Sequence, residues 1–380
     1  NLQESVSIIR ADKLWEMGLT GKGIRIGIID TGVDYTHPDL SSCSGGGGGG
    51  GGNSSNISVP ETEPKNTGGG FGSGCKVEAG YDFVNNDNDP IDDNGHGTHV
   101  AATAAGNGVL KGVAPDATIY AYKVLDSGGS GTFANVIAAI ERSIDPNQDK
   151  DFSDHLDVIS LSLGAWCFEY DEGCGPDDPL STAIDNAVNE GVIAVVAAGN
   201  AGPSPGTIAS PGTARRAITV GASCKPNQIG SNPYCQQPIA YFSSRGPVEW
   251  SGNIISKPDI SAPGVAICAA EWDDAFSYAK CLDDNHVAIS GTSMATPHIA
   301  GAAALLKQSH NDWSPDDIKS ALMIGAKDLG LETNTQGAGL ANVEDSNKAE
   351  LLISPFSLTF GTVVETLPKP INVTVKNAGN

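Results

Sequence analysis

The chain has 380 residues, 45 of them Asp or Glu and only 22 Lys or Arg, for a net charge of −23. The shortage of basic residues excludes a phosphate-binding surface and so nucleic acid as a partner, total charge of 18% against an ordinary ~25% excludes the acid-loaded composition of extreme halophiles, and no run of about 18 apolar residues is present to span a membrane. The length calls for one large domain with an appendage, and 39% hydrophobic residues with 48 Gly and 22 Pro suit a buried core with many turns.

Residues 1–20 are a polar lead-in with a short helix predicted from Ala11 to Met17. The next segment, 24–29, is an apolar strand that ends in Asp30 and the tight turn Thr31-Gly32. Ligand chemistry in open α/β sheets lies at the C-terminal ends of strands, which makes Asp30 a candidate. Alone, a turn or helix-start role explains it equally well. Residues 41–76 form an insertion with eight consecutive glycines, Gly45 to Gly52, a run that cannot hold one conformation cheaply. The loop Asp82 to Asp93 then alternates carboxylates and amides. A hard cation needs such an oxygen-rich loop, and a solvated acidic turn has the same composition.

Asn94-Gly95-His96-Gly97-Thr98-His99 follows, opening a small-residue helix predicted over 96–105. Glycine on both sides lets another chain approach the first imidazole. The Glu of a zinc-protease motif is missing after His96, so His99 reads as a core histidine. Strands at 118–124, 157–162, 192–197 and 217–221 alternate with helices at 133–143, 180–190, 293–308 and 315–326. That order predicts an α/β fold with a doubly wound, mostly parallel sheet and helices on both faces. The acidic insertion Ala165–Pro179 (Glu169, Asp171, Glu172, Asp177, Asp178) is either a rim that favours basic residues or a solvated loop.

Ser293 lies in Ser290-Gly291-Thr292-Ser293-Met294-Ala295-Thr296-Pro297-His298, ahead of the apolar run Ile299–Leu306. At the start of a buried helix it meets free N–H groups and a favourable dipole, the surroundings an oxyanion-forming nucleophile requires. A plain helix cap is the alternative for an isolated serine. After Asn347 the helical period gives way to strand alternation at 351–361 and 371–377. The chain therefore divides into 1–347 and 348–380, the second part being the start of a β-sandwich that ends too soon to close. Eight cysteines fit an oxidised, exported protein. Proximity along the chain pairs 43 with 75, 167 with 174, 224 with 235 and 268 with 281, one of 105 possible connectivities. No C-x₂-C pair is present to favour zinc.

The segments IGIIDTGVDYTHPDL, GHGTHVA, GVAPDATIYAYKVL, VISLSLG, VVAAGN, SSRGP, KPDISAPG and SGTSMATPHIAGAAALL occur in this order between roughly residues 10 and 345. Over that span the chain resembles the subtilisin-like serine proteases, or subtilases. The resemblance implies a catalytic triad of Asp30, His96 and Ser293, with Asn200 as the side-chain donor of an oxyanion hole. It implies a secreted serine endopeptidase whose secretory signal and inhibitory, folding-assisting propeptide are missing from a processed or truncated form.

It also places an extended polypeptide substrate between Gly129–Gly131 and Ser162-Leu163-Gly164 by strand addition, a mode tolerant of sequence. The pocket for the residue on the acyl side of the scissile bond (P1) lies between Leu161–Gly164 and Ala197-Ala198-Gly199, with Ala209 near its base. Its small walls leave room for a large apolar side chain. The loop ahead of His96 resembles the calcium loop of thermitase, which assigns structural Ca²⁺ to Asp82, Asn85, Asp87 and Asp89. Two other functions share parts of this pattern. Acid peptidases of the sedolisin type carry Glu in place of the His and Asp in the oxyanion hole, so His96 and Asn200 speak against them. An inactive binding scaffold has no reason to keep Asp30, His96, Ser293 and Asn200 together.

Overall fold

The apolar run that ends in Asp30 becomes the central strand of the molecule. The computed structural model describes residues 2–43, 70–165, 175–251, 253–360 and 370–379. Strands β1 (Arg25–Asp30), β2 (Val77–Asp82), β3 (Thr118–Lys123), β4 (Val158–Leu161), β5 (Ile193–Ala197) and β6 (Ile218–Ser223) lie in one sheet. After the hairpin β7 (Val248–Trp250) and β8 (Asn253–Ile255), β9 (Ile260–Pro263) completes it. The order is β2-β3-β1-β4-β5-β6-β9, every neighbouring pair parallel. β3 and β4 pair on opposite sides of β1, so the winding reverses there and opens a crevice at its C-terminal end. Asp30 stands at that end.

Parallel strands need crossovers, usually helical. The helices are α1 (Leu2–Ile8), α2 (Ala11–Trp15), α3 (His96–Ala105), α4 (Phe133–Ile144), α5 (Pro179–Asn189), α6 (Thr292–Ser309) and α7 (Pro315–Gly325). Ile26 and Ile28 pack into the core that includes α3 and α6, whereas Ile29 packs with α4 and α5. Period-two alternation thus gives the sheet two helix-covered faces. From Met294 to Leu306 every residue of α6 is buried. Each Leu or Ile so enclosed contributes about 1.5–3 kcal/mol, which anchors the helix that begins beside Ser293.

The doubly wound architecture read from the sequence is present, with two strands and a helix that the pattern did not mark. β2 is a half-exposed edge strand with no apolar run. β9 is four residues long and ends in Pro263, which an edge position tolerates. α1 buries Leu2, Ser5 and Val6 although its sequence is largely polar.

Strands β10 (Ile267–Ala270) and β11 (His286–Ile289) form an antiparallel hairpin, and so do β12 (Leu351–Ser354) and β13 (Thr374–Asn377). The β12–β13 ribbon is tied to α7 by the Ile353 N–H donating to Ser320 Oγ at 2.7 Å and by Lys376 to Asp317 at 2.8 Å. Disulfides join Cys43 to Cys75, Cys224 to Cys235 and Cys268 to Cys281. The expected pair of Cys167 and Cys174 lies outside the described residues, as do Glu169, Asp171 and Glu172. Among the described residues no helix is long and apolar enough to cross a membrane.

Candidate active site

Asp30 leaves β1 with no solvent exposure. Its Oδ1 accepts from the Thr31 N–H at 2.8 Å and lies 2.7 Å from His96 Nδ1. His96 is the first residue of α3, and a quarter of its side chain is exposed. Burial opposes charge on the imidazole, but the Asp30 carboxylate and its hydrogen bond outweigh that cost, and the pKa is raised from its ordinary value. Gly97 is required for this pairing. A Cβ there would stand 2.1 Å from the Gly32 carbonyl, and the Gly97 N–H donates to Thr31 Oγ1 at 2.9 Å. The glycine after the histidine therefore admits the β1 turn rather than a substrate.

Asp92 holds these parts in register, a role the sequence left inside an acidic run. Its buried carboxylate accepts five hydrogen bonds, from Thr31 Oγ1, the Asn94 and Gly95 N–H groups, and the N–H and Oγ1 of Thr98. It fixes the turn after Asp30 and the start of α3 together. Lys123 is buried at the end of β3 and adds a second brace, donating to the carbonyls of Thr31 and Leu125 and to Asp93.

Ser293 lies in the first turn of α6, whose leading N–H groups have no intrahelical acceptor. Its hydroxyl donates to the Ser162 carbonyl at 3.0 Å rather than to His96, and turning it about Cα–Cβ releases it. In return Ser162 Oγ donates to the Ser293 carbonyl at 2.8 Å. That carbonyl needs an outside donor because Pro297, four residues on, has no N–H to offer. Asn200 Oδ1 accepts from the Thr292 N–H at 2.9 Å and from Thr292 Oγ1 at 3.0 Å. With its oxygen so engaged, the Asn200 amide is left with Nδ2 as its donor. Thr292 is thus a positioning residue that sequence reasoning missed, although it stands beside Ser293.

One cavity of about 600 Å³ gathers His96, Ser293 and Asn200 with Gly129, Gly131, Ser162, Leu163, Gly164, Gly199 and Ala209. Ala209 underlies both Gly164 and Gly199, where an added Cβ would meet its own at 3.0 and 3.1 Å. Leu125, Phe133, Val136 and Leu180, which the sequence did not single out, supply an apolar wall. Ala198 is not part of this lining. It is fully buried against Ile208 and Val248, because strand alternation turns it away from the side where Ala197 and Gly199 meet the cavity. The two described acidic residues of the 165–179 insertion face elsewhere: Asp177 pairs with Arg215 at 2.5 Å and Asp178 caps α5 through the Ser181 N–H.

The oxygen-rich loop satisfies its own donors. Asp82 is buried and its Oδ1 accepts from the N–H groups of Val84 and Asn85, while Asn85 Nδ2 lies 2.8 Å from Asp82 Oδ2. Asp87 Oδ1 accepts from the Asp89 N–H, and Asp89 Oδ1 from the Tyr35 hydroxyl at 2.6 Å. Among the described residues no group of three or more His, Cys, Asp or Glu side chains is placed to hold a metal ion. As arranged, Asp82, Asn85, Asp87 and Asp89 do not present a common coordination set.

Residues 21–340 match the model of the subtilase family. The chain belongs to the subtilase family. It is 36% identical to serine protease AprX of Bacillus subtilis (strain 168) over 86% of this chain and 67% of that protein. It is 34% identical to subtilisin E of the same organism over 89% of this chain and 69% of that protein. The minor extracellular protease Vpr, also of B. subtilis (strain 168), is 32% identical over 96% of this chain, which spans 56% of Vpr's length. The activity class that goes with this family and these subtilase relatives is that of a serine endopeptidase.

Proposed function

We propose that this subtilase hydrolyses peptide bonds through an acyl-enzyme formed on Ser293, with His96 as general base and Asp30 as its partner. One observation carries the reading: His96 Nδ1 is held 2.7 Å from the buried Asp30 carboxylate while the ring shares a cavity with Ser293. Fixing Nδ1 as the donor to Asp30 leaves Nε2 basic, to take the Ser293 proton as Oγ attacks the scissile carbonyl. The negative oxygen of the tetrahedral intermediate meets Asn200 Nδ2 and the Ser293 N–H. His96 then returns the proton to the leaving amine, the C–N bond breaks, and water, deprotonated by the same imidazole, releases the acid and frees Ser293.

Several finer points belong to the same proposal. Pairing along Gly129–Gly131 and Ser162–Gly164 gives broad sequence tolerance, and the apolar cavity favours a large apolar P1. Export is supported by the three disulfides among the described residues and by the similarity to Vpr, an extracellular protease by name. Polypeptide substrates and a cognate propeptide are the partners, residues 1–347 the catalytic domain and 348–380 an appended β unit. Calcium at Asp82–Asp89 is supported by residue type and not by side-chain arrangement, so no step depends on it. A fluorophosphonate should label Ser293 alone, and Ser293→Ala should fold normally and lose hydrolysis. Wild-type-like turnover by that variant ends the assignment.

A further inference from the structure

The loop between β10 and β11 carries aromatic side chains that the triad does not use. Its base is closed by the β10–β11 ladder and by the Cys268–Cys281 disulfide. Within it, Lys280 Nζ reaches the buried Glu271 carboxylate and, at 2.6 Å, Asp274. Glu271 Oε1 in turn accepts from the Phe276 N–H at 3.0 Å. Asp273 and Asp274 both hold left-handed backbone, with φ of 42° and 57°, which non-glycine residues keep only where the surroundings enforce it. This loop is shaped rather than slack, and it delivers Phe276 to the wall of the cavity that holds His96 and Ser293.

The loop rests on the backbone that carries the general base. Gly95 precedes His96 with φ of +97°, and a Cβ there would lie 3.2 Å from Ala275 Cβ and 3.3 Å from Phe276 Cε2. The Gly129 loop approaches from another side, where Asn94 Nδ2 donates to the Ser127 carbonyl at 3.0 Å. That loop and Ser162–Gly164 form the acyl half of the cleft. Phe276 belongs to neither segment. Its ring is set edge-to-face with the exposed Tyr278 at 6.4 Å and lines the same cavity as His96 and Ser293.

We propose that Phe276 is a specificity-determining residue, the apolar wall for the residue on the leaving-group side of the scissile bond (P1′), where it selects a large apolar side chain. The inference rests on the triad reading given above. It adds a second apolar requirement, from a separate loop, to the P1 preference.

The test is a peptide series with a fixed acyl side and Leu, Phe, Ala, Gly or Asp at P1′, cleaved by the full chain. The readout is the ratio of kcat/KM for P1′ Leu to that for P1′ Gly within one preparation, so loss of folded enzyme cancels. Wild type should favour Leu, and Phe276→Ala should lower the ratio about tenfold, the scale of one lost apolar contact in a pocket. Phe276→Trp should shift the optimum to Ala or Gly by filling the space. An unmoved P1′ ratio in both variants, or a change confined to the residue preceding P1, overturns the assignment. Ser293→Ala separates the two readings: if it cleaves like wild type the triad falls and this inference with it, whereas an inert Ser293→Ala with unmoved P1′ ratios sinks Phe276 alone.

Discussion

His286 Nε2 lies 2.9 Å from Asp39 Oδ2, and both side chains are closed to solvent. His286 Nδ1 lies 2.6 Å from Asp283 Oδ1, so both ring nitrogens face carboxylates, an arrangement that favours the protonated ring. Asp39 also accepts from the Val109 and Leu110 N–H groups, joining the β10–β11 hairpin to the loop after α3. Burial opposes the charge on His286, but the hydrogen bonds to Asp39 and Asp283 prevail and its pKa is raised.

A folded-state pKa above the unfolded one gives stability that is complete below the unfolded value and lost as pH rises through the folded one. His286→Gln in a Ser293→Ala background, which prevents autolysis, should therefore melt below its parent on the acid side of neutrality. The gap should narrow toward alkaline pH. Melting curves across pH check this, and a gap that widens with pH would show that the imidazole is neutral.

The raised pKa of His96 sets the pH dependence of turnover with the opposite consequence. The base acts unprotonated, so kcat/KM should climb through an inflection above the ordinary imidazole value. Asp30→Asn removes the charge that raises it and permits the wrong tautomer, which should lower kcat by roughly 10⁴. A profile that falls with rising pH through neutrality would contradict His96 as the base.

Asn200 and Thr292 should behave as a unit. Asn200→Ala should reduce kcat by roughly 10²–10³ with KM little changed, because the amide acts on charge present only in the transition state. Thr292→Ala frees the amide to rotate and should produce a smaller loss, also in kcat, while Thr292→Ser keeps the hydroxyl and most of the rate. A double variant with additive losses would show that Thr292 acts elsewhere.

Ala209 packs against Gly164 and Gly199, at the floor of the proposed P1 pocket. Ala209→Val should shift P1 preference toward small side chains by filling that floor. A P1 profile that the substitution leaves untouched, or strict cleavage after Asp or Glu in the wild type, would place the pocket elsewhere.

The Asp82 loop gives a clean contrast. Asp82→Ala removes the acceptor of the Val84 and Asn85 N–H groups, at about 0.5–1.5 kcal/mol each, so it should melt lower with or without a chelator. If chelation lowers the wild-type melting temperature and leaves Asp82→Ala unmoved, calcium and not the loop's own N–H groups holds the segment.

The features of this protein that are local or periodic can be read from short stretches of its chain. The strand that stops at Asp30 and the small-residue helix that follows Ser293 can be placed from short stretches, whereas the roles expected of Asp30, His96 and Ser293 came from the order of the family motifs. Alternating strand and helix signals carried the parallel sheet for the same reason: period two and period 3.6 are properties of short stretches. The family followed from motif order.

Features that depend on approach between distant segments emerge only once the chain is folded. Asp92 looked like one more residue of an acidic run until five donors from the turn after β1, its own turn and α3 converged on it. Thr292 meets Asn200 because α6 brings it beside the chain leaving β5, and Ala198 lies buried against Ile208 and Val248 rather than on the cavity. Phe276, far along the chain from His96, gains its place from a disulfide-closed hairpin resting on Gly95. Burial, hydrogen-bond partners and the pKa of a histidine are set by what folds against a residue, and no window of sequence contains that information.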